Sequence, residues 1–543
     1  MEAPPVSLSP TAQNYYLDAL QAYVIQLAAA ATEYSPATAS FLPRLALVAL
    51  LGYFAFLLLV LFTHGNIPEV IAKGSMKGRS ITPTYVFFIC ALAVAASAAA
   101  LAPLEHLAAS GRLAPWAARV LLPAFRLMLA FKLPSLGADP VRLAQCLVAV
   151  LAVHGVGFAL YAALPASEVE GYVLDATGAV ARYRLPGFSM LLAGVGAWAL
   201  AVRAGALPAA LLWDGAADVA LCSFFAGVLL SAVFFFRGTR LQGWGNAGFD
   251  MRSRCPSRDM RHLVGRNPLP RAKREETLEF RERGPLEHFY CGLSEFNPVS
   301  HGVDWKMWLY ATGALMLQLN IIGALVADAR ARGGAVSRGA ATIASCLTFF
   351  VAEYMWQETV HLWTYDIFRE RLGFKLIWGC LCWYPCFYVL PLAAVVGVAP
   401  ERDASAAACA AGLALFFAGW ALTRGANLQK FHCKMEGDKA RPFLGFIPMD
   451  TVPGSDGRIL CAGFWGIARH VNYLGEILQA AALALTAVLA GGSWLAFLYP
   501  LYYIALFVPR QADDDAVCEE KYGKKVWAAY VKRVPYRIVP GIF

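Results

Sequence analysis

Charge is the feature that this chain of 543 residues has least of. Asp, Glu, Lys and Arg make up 15% of the residues, whereas a soluble globular domain has about 25%. Apolar residues account for 59% of the chain. This composition excludes an ordinary soluble enzyme and indicates a protein that lies in a lipid bilayer. The net charge of +9 is concentrated in loops, as expected for the cytoplasmic side of a membrane protein, and so gives little support for nucleic-acid binding.

Several common motifs are also missing. No Gly-x-Gly-x-x-Gly follows a predicted strand and no P-loop is present, which excludes the usual nucleotide-binding folds. Most of the 13 cysteines lie inside apolar runs without zinc-type spacing to histidine, so we expect neither a disulfide framework nor a metal site. His470 has no partner at the helical spacings that metal ligands use. The N-terminus lacks the basic segment of a cleavable signal peptide.

Apolar runs of about 20 residues, the length that crosses a bilayer, recur along the chain. The predicted spans are 44–63, 84–103, 142–164, 188–210, 216–236, 305–327, 338–358, 375–398 and 404–423. A further run, 474–508, is interrupted by Gly491-Gly492-Ser493, which predicts a helical hairpin or a broken helix. The fold class is therefore an all-α, polytopic integral membrane protein of about ten transmembrane helices.

The distribution of charge divides the chain into four parts. Residues 1–40 are either a poorly ordered leader or an amphipathic surface helix, and 41–236 hold the N-terminal transmembrane helices. Residues 237–304 form a basic loop, which the positive-inside rule places in the cytosol. Residues 305–543 contain the remaining helices and most of the polar clusters, and we expect the cofactor-binding half there.

The first polar cluster, residues 356–367, carries Glu358 and Asp366. On an unbroken helix these carboxyl groups would be about 80° apart. Carboxyl groups at the edge of a span usually face the bundle interior, where a neutral acid could donate a proton. The alternative is a pair of interfacial carboxylates bound to Arg369 or Arg371.

Two further clusters combine cations, amides and aromatic rings. The second consists of Asn427, Gln429, Lys430, Lys434, Arg469, His470, Asn472 and Tyr473. Such a set suits a polyanion, for example the phosphates of a dinucleotide. The third cluster runs from Arg510 to Pro540. It either lies on the membrane surface or folds back over the second cluster and closes a nucleotide site.

These motifs resemble the sterol reductase family, which includes delta-14, delta-7 and delta-24(28) sterol reductases and the reductase domain of the lamin B receptor. The matching segments are Trp-Gly-Ile-Ala-Arg-His-Val-Asn-Tyr-Leu-Gly-Glu (465–476), Ala-Asn-Leu-Gln-Lys (426–430), Trp-Gln-Glu-Thr (356–359), Trp-Gly-Cys-Leu-Cys-Trp-Tyr-Pro (378–385) and Arg-Val-Pro-Tyr-Arg-Ile-Val-Pro-Gly-Ile-Phe (533–543). The resemblance covers 285–543, with a weak echo at 183–188.

The resemblance implies a multi-pass enzyme of the endoplasmic reticulum membrane that reduces a sterol carbon–carbon double bond by protonation followed by hydride transfer. NADPH would bind in the C-terminal half, the sterol would enter from the membrane lipid, and no nucleic acid is expected as a partner. The implied cofactor-binding residues are Asn427, Lys430, Lys434, Trp465, Arg469, His470, Asn472, Tyr473, Arg510, Asp514 and Tyr522. The implied proton-relay residues are Glu358, Asp366 and Tyr536.

Some positions depart from the family pattern. Cys380 stands where delta-14 and delta-7 enzymes commonly have Asp, Val299 replaces an Arg, and Pro509 replaces a His. The tryptophan motifs favour the delta-14 and delta-7 branch over delta-24(28), with delta-14 as the first choice and delta-7 as the alternative.

Three other classes fit the sequence less well. Isoprenylcysteine carboxyl methyltransferases bind their cofactor in a similar helical C-terminal region but are much shorter than this chain. A non-enzymatic sterol-binding or chromatin-tethering membrane protein would need a basic soluble domain at the N-terminus. Residues 1–40 are too short for such a domain. A transporter would need matched broken helices in the two halves of the chain, and the sequence shows no such pair.

Overall fold

The computed structural model describes residues 140–174, 180–242, 285–293, 297–368, 370–436, 441–455 and 459–543. The predicted leader, the predicted spans 44–63 and 84–103 and most of the basic loop lie outside these residues. Helices predominate in the described part of the chain, which confirms the predicted all-α membrane architecture.

The helices, in chain order, are α1 (Pro140–Ala163), α2 (Gly187–Arg203), α3 (Leu211–Asp214), α4 (Ala216–Gln242), α5 (Pro285–Cys291), α6 (Trp305–Ala331), α7 (Arg338–Trp356), α8 (Glu358–His361), α9 (Tyr365–Phe368), α10 (Phe374–Trp378), α11 (Tyr384–Phe387), α12 (Leu390–Ala393), α13 (Ala406–Glu436), α14 (Val471–Leu489), α15 (Leu498–Tyr522) and α16 (Lys524–Arg533). A π-helical turn, Gly379–Trp383, joins α10 to α11. Two antiparallel hairpins pair β1 (Glu168–Leu174) with β2 (Val180–Arg184) and β3 (Val299–Ser300) with β4 (Val303–Asp304).

Six segments of the described chain are long and apolar enough to cross a membrane. They are Val141–Ala163, Ala216–Gly238, Trp305–Ala331, Phe374–Ala393, Ala406–Cys433 and Val471–Leu489. The first five overlap predicted spans, and Val471–Leu489 overlaps the first part of the interrupted run 474–508. The predicted span 188–210 corresponds to the shorter apolar helix Gly187–Arg203. Helices α1 and α4 expose Leu147, Leu151, Leu229 and Val233, as expected where helices face lipid rather than water.

Helix α7 is shorter than the predicted span 338–358. The position at which it ends determines how the two carboxyl groups of the first polar cluster are placed. The Ser337 side chain accepts a hydrogen bond from Ala340 N and caps the helix start. The helix ends at Trp356, and the chain then forms the short helices α8 and α9. Glu358 and Asp366 are therefore not on one unbroken helix, and their side chains can point to different partners.

The apolar run 474–508 forms a helical hairpin, which is one of the two predicted outcomes. Gly491 adopts a φ of 72°, and the Ser493 side chain accepts a hydrogen bond from Leu495 N at the start of the next turn. The Tyr473 ring, near the start of α14, stacks on Phe507 of α15 with centroids 4.3 Å apart. The two helices are thus antiparallel, which brings the second and third polar clusters to the same end of the bundle.

Helices α13 and α14 approach each other at glycines. A Cβ atom added to Gly475 would lie 2.2 Å from Thr423 Oγ1, and one added to Gly419 would lie 2.7 Å from the Gly475 carbonyl oxygen. Small residues at a crossing allow such close backbone contact in a membrane. The contact places the two segments of the second polar cluster, 426–430 and 465–473, side by side.

Candidate functional site

Asp366 is the centre of a polar cluster inside the bundle. Tyr310 Oη of α6 donates a hydrogen bond to Asp366 Oδ2 at 3.0 Å. Arg510 Nη2 of α15 lies 3.8 Å from Asp366 Oδ1. The three side chains come from separate parts of the sequence, and those of Asp366 and Arg510 are 35% and 27% exposed.

A buried lysine fixes the segment that carries Asp366. Lys306 is fully buried, and its Nζ donates hydrogen bonds to the carbonyl oxygens of Asp366 at 2.9 Å and Ile367 at 3.2 Å. It also donates to the carbonyl oxygen of Glu370. A buried ammonium group is stable only with such partners. Lys306 therefore sets the position of Asp366 through its backbone.

Arg510 connects this cluster to the start of α14. One turn along α15, the Asp514 carboxylate accepts a hydrogen bond from Tyr473 Oη. The Tyr473 ring also stacks on His470, with centroids 5.2 Å apart and an interplanar angle of 9°. The predicted residues Tyr473, Arg510 and Asp514 are therefore brought together with Asp366.

The C-terminal segment, residues 534–543, folds back over the start of α14. This is one of the two alternatives that the sequence left open for the third polar cluster. The backbone N–H groups of Arg469 and His470 donate to the carbonyl oxygens of Tyr536 and Arg537 at 2.9 Å and 2.8 Å. The Arg469 guanidinium adds hydrogen bonds to the carbonyl oxygens of Val534 and Pro535 at 3.0 Å and 2.8 Å. The third polar cluster is thus part of the same site as the second.

Asp515 holds the two clusters together electrostatically. Arg469 Nη2 lies 3.1 Å from Asp515 Oδ2, and His470 Nε2 lies 3.0 Å from Asp515 Oδ1. Burial opposes ionisation of Asp515, but the hydrogen bonds from His470 and Arg469 and the electrostatic attraction of these side chains outweigh it and lower the pKa of the carboxyl group. Arg469 is itself 5% exposed. Both Nη atoms of Arg469 and the Nε2 atom of His470 are therefore bound to protein groups of α15 and the C-terminal segment.

Lys430 presents its charge on the outside of the second cluster. Its side chain is exposed, and Nζ lies 5.0 Å from the ring centroid of Trp465. Trp465 is buried and donates its Nε1–H to the Ala426 carbonyl oxygen at 2.8 Å. Asn427, one turn before Lys430 on α13, is half-buried. This arrangement leaves a cation and an amide available to a ligand.

Glu358 and Tyr522 contact groups outside this site, Tyr536 contributes its backbone carbonyl oxygen to it, and the Lys434 side chain is not described. Glu358 is 4% exposed, and its Oε2 accepts a hydrogen bond from Gly187 N, at the start of α2, at 2.7 Å. Burial raises the pKa of Glu358 to about 8. Tyr522 packs against an apolar cluster that includes Trp527. The Tyr536 side chain is 39% exposed, and the side chain of Lys434 lies outside the described residues.

Sequence reasoning missed three residues of this site: Tyr310, Lys306 and Asp515. Lys306 had a detectable signal, because a lysine at the edge of an apolar run is costly without a partner. Asp515 directly follows Asp514 in the chain, and the sequence does not show which of the two carboxylates faces Arg469. Tyr310 had no signal, because a tyrosine in a span is usually part of the apolar core.

Comparison with known proteins gives the family. The model of the Ergosterol biosynthesis ERG4/ERG24 family matches residues 272–543. The Delta(14)-sterol reductase of Methylotuvimicrobium alcaliphilum is 32% identical over 260 residues, which is 48% of this chain and 59% of that protein. The Delta(14)-sterol reductase TM7SF2 of Mus musculus is 30% identical over 469 residues, which is 82% of this chain and 99% of that protein.

Relatives with a second name are nearly as similar. The 7-dehydrocholesterol reductase of Xenopus laevis is 29% identical over 257 residues, which is 46% of this chain and 53% of that protein. The matches confirm the family resemblance and favour neither name clearly. The chain belongs to the ERG4/ERG24 sterol reductases, a family of multi-pass, NADPH-dependent oxidoreductases of sterol biosynthesis.

Proposed function

We propose that this protein, in the endoplasmic reticulum membrane, reduces the delta-14 double bond of a sterol with NADPH, and that residues 305–543 form the reductase core. The observation that carries the proposal is the interior cluster of Tyr310, Asp366 and Arg510, which combines a proton donor with a balancing charge. A delta-7 sterol is the alternative substrate, since relatives of both names match. A delta-24(28) sterol is the third choice.

Cations and an amide of the second and third clusters suit a dinucleotide phosphate. Lys430 is exposed, and the side chains of Arg510 and Arg537 are 27% and 47% exposed. Asn472 Oδ1 is buried and has no hydrogen-bond partner within the described residues. Lys430 and Arg510 would hold the phosphates by charge-assisted hydrogen bonds, and the Asn472 amide would hold a polar group of the cofactor.

The remaining predicted cofactor residues take supporting roles. Arg469 and His470 hold the C-terminal segment over the site, Tyr473 and Asp514 orient each other beside Arg510, and Trp465 supports Lys430. Asn427 stays a proposed contact through its side-chain amide. When bound, NADPH supplies the hydride.

An isolated alkene has no carbonyl group to polarise, so the protein must supply an acid. Tyr310 Oη and Asp366 Oδ2 share a hydrogen bond and can hold a proton for the alkene carbon. Arg510, close to the other Asp366 oxygen, compensates the negative charge that remains on the pair after the proton leaves. Glu358 is engaged with Gly187 N, so we assign it to holding α2 in place.

The proposal can be tested by mass spectrometry of sterols incubated with NADPH and membranes that contain the protein. Separate incubations offer a 14-ene, a 7-ene and a 24(28)-ene sterol, and a gain of two hydrogens on one of them identifies the reduced bond. Asp366→Asn should lower turnover without weakening NADPH binding, and Lys430→Ala should raise the NADPH requirement. Asp450→Asn is the control, because the Asp450 side chain is 64% exposed and pairs only with Arg533 among the described ion pairs.

Two results would contradict the proposal. No reduction of any of the three sterols, with a known reductase active in parallel, would refute the activity. Equal effects of Asp366→Asn and Lys430→Ala on turnover and on cofactor binding would refute the division between acid and cofactor site.

A further inference from the structure

Two apolar side chains project from a tight turn that follows α13. Leu444 and Phe446 are 67% and 75% exposed. They belong to the turn 444–446, which we call the apolar tip. Hydrogen bonds from Phe443 N to the Ile447 carbonyl oxygen at 2.8 Å and from Ile447 N to the Phe443 carbonyl oxygen at 2.9 Å close the turn. Leu444 adopts a φ of 53°, which is uncommon for a residue other than glycine. The chain thus accepts a strained backbone where two apolar side chains are exposed.

The base of the apolar tip is fixed to the end of α13. The Gln429 side chain is fully buried, and its Nε2 donates a hydrogen bond to the Pro448 carbonyl oxygen at 2.9 Å. On the other side of the turn, the Phe443 ring lies 5.6 Å from the His432 ring, measured between centroids. The apolar tip therefore lies beside residues 429–432 of α13.

His432 lies on the face of α13 that is turned to lipid. It follows Ala414 by 18 residues and Ala421 by 11 residues, and at 3.6 residues per turn the three residues lie within about 20° of one direction. All three are exposed. The most apolar stretch of α13 is 22% buried inside the protein, against 39% to 78% in the other five candidate spans of the described chain. The apolar tip is therefore next to the lipid-facing side of the least buried of these spans.

The length of α13 sets the depth of the apolar tip. The candidate span Ala406–Cys433 has 28 residues, which at 1.5 Å per residue gives a length of about 42 Å. A bilayer with its headgroup regions is about 40–45 Å thick, and its hydrocarbon core is about 30 Å thick. The last turn of the span, beside which the tip lies, is therefore at the level of the headgroups. Apolar and aromatic side chains at this level can enter the boundary of the acyl chains.

The chemistry and the size of the apolar tip fit a lipid surface. Arg441, at the start of the same loop, is exposed, and a basic side chain beside exposed apolar ones is typical of segments that lie in the membrane interface. A stable protein interface buries roughly 800 Å² on each partner, which is far more than two side chains provide. A fluid lipid surface needs no such area.

We propose that Leu444 and Phe446 insert into the lipid leaflet at this end of α13 and form an anchor that is separate from the transmembrane helices. The insertion fixes the loop after α13 at the membrane surface. Val452 of the same loop packs with Trp527 and Tyr530 of α16, so the anchor also holds the helix that precedes the C-terminal segment. The inference does not depend on which sterol is reduced.

A photoreactive amino acid with a benzophenone side chain tests what covers this surface. It replaces Phe446 in the whole chain, which is then placed in phosphatidylcholine vesicles and irradiated, and the adducts are identified by mass spectrometry. Phe417, which is 39% exposed within the α13 span, is the control position for contact with lipid. Asp450, whose side chain is 64% exposed and pairs with Arg533, is the control position for water. We expect lipid adducts at 446 and 417 and none at 450.

Other products would overturn the inference. A crosslink from position 446 to a peptide of residues 1–139, which lie outside the described residues, would show that another part of the chain covers the apolar tip. A crosslink to NADPH, when the cofactor is added, would place the tip at the cofactor site instead. No adduct at 446 while 417 reacts would mean that the tip lies in water. A second variant with the probe at Leu444 should give the same lipid adducts, and their absence would contradict insertion of the whole tip.

Discussion

Replacing Asp515 with asparagine should release the C-terminal segment from the rest of the protein. Asp515 Oδ2 lies 3.1 Å from Arg469 Nη2 and 4.0 Å from Arg537 Nε, and Asp515 Oδ1 lies 3.0 Å from His470 Nε2. The substitution keeps the size of the side chain and removes its negative charge. Arg469, with a side chain that is 4% exposed, would then lack its counter-charge.

The size of the effect follows from this burial. Removing one partner of a buried ion pair costs about 3–5 kcal/mol. The amide oxygen of the new asparagine could still accept one hydrogen bond, and Asp515 is partly exposed, so we expect a loss of about 2–3 kcal/mol from the closed state. Since about 1.4 kcal/mol corresponds to a factor of ten, the population with an open C-terminal segment should rise roughly 30- to 140-fold.

Limited proteolysis measures this population directly. Lys532, Arg533 and Arg537 are exposed and are tryptic sites within or beside the segment. When opening is fast relative to cleavage, the rate of cleavage follows the open population. The protein should therefore lose its C-terminal segment roughly 30- to 140-fold faster after D515N, and its affinity for NADPH should fall at the same time.

The pH dependence has a definite sign. The pKa of Asp515 is lowered in the folded protein, so the stabilisation it provides is complete above the ordinary value of about 3.9 and is lost as the pH falls below it. Asp515 therefore stays ionised between about pH 6 and 8, and its own titration should not change the cleavage rate of the wild-type segment in that range.

The control for this experiment is Asp450→Asn. Asp450 pairs with Arg533 at 3.6 Å, but the two side chains are 64% and 49% exposed, so the pair is worth about 0–1 kcal/mol. If D515N changes the cleavage rate less than about threefold, or no more than D450N does, then Asp515 does not anchor the segment and our account of Arg469 is wrong.

Three further predictions concern the acid, the pH dependence and the helix crossing. Tyr310→Phe should lower turnover roughly 10²- to 10⁴-fold with the KM for NADPH unchanged; a loss of less than about tenfold would exclude Tyr310 as the acid. Because burial raises the pKa of Glu358 to about 8, the unfolded chain releases this proton at a lower pH than the folded one, and stability should fall as the pH rises from about 4.5 to 8. Glu358→Gln stays neutral, so its advantage in thermal midpoint over wild type should grow between about pH 5 and 8, and a constant difference would contradict the assignment. Gly475→Ala should cost about 1–3 kcal/mol, since its Cβ atom would lie 2.2 Å from Thr423 Oγ1, while Gly196→Ala, with nothing within 4 Å, should be nearly neutral in the same unfolding assay.

The sequence alone determined the class of protein and the approximate positions of its spans. Transmembrane helices are encoded locally, because each must present about 20 apolar residues whatever its neighbours are. The hairpin at Gly491 was predictable for the same reason, since glycine interrupts a helix through its own backbone. Most of the residues around the site could also be identified from the sequence, because polar groups in apolar surroundings are costly and are usually paired or functional.

Only the tertiary structure decided which polar residues become partners. The break after Trp356 turns Glu358 toward Gly187 and Asp366 toward Tyr310, although the two carboxyl groups are eight residues apart in one apparently continuous segment. Partner choice depends on distances between helices that are remote in the chain, and no local pattern encodes those distances. For that reason the sequence could nominate Asp366, but it could not reveal that a tyrosine 56 residues upstream would donate a hydrogen bond to it.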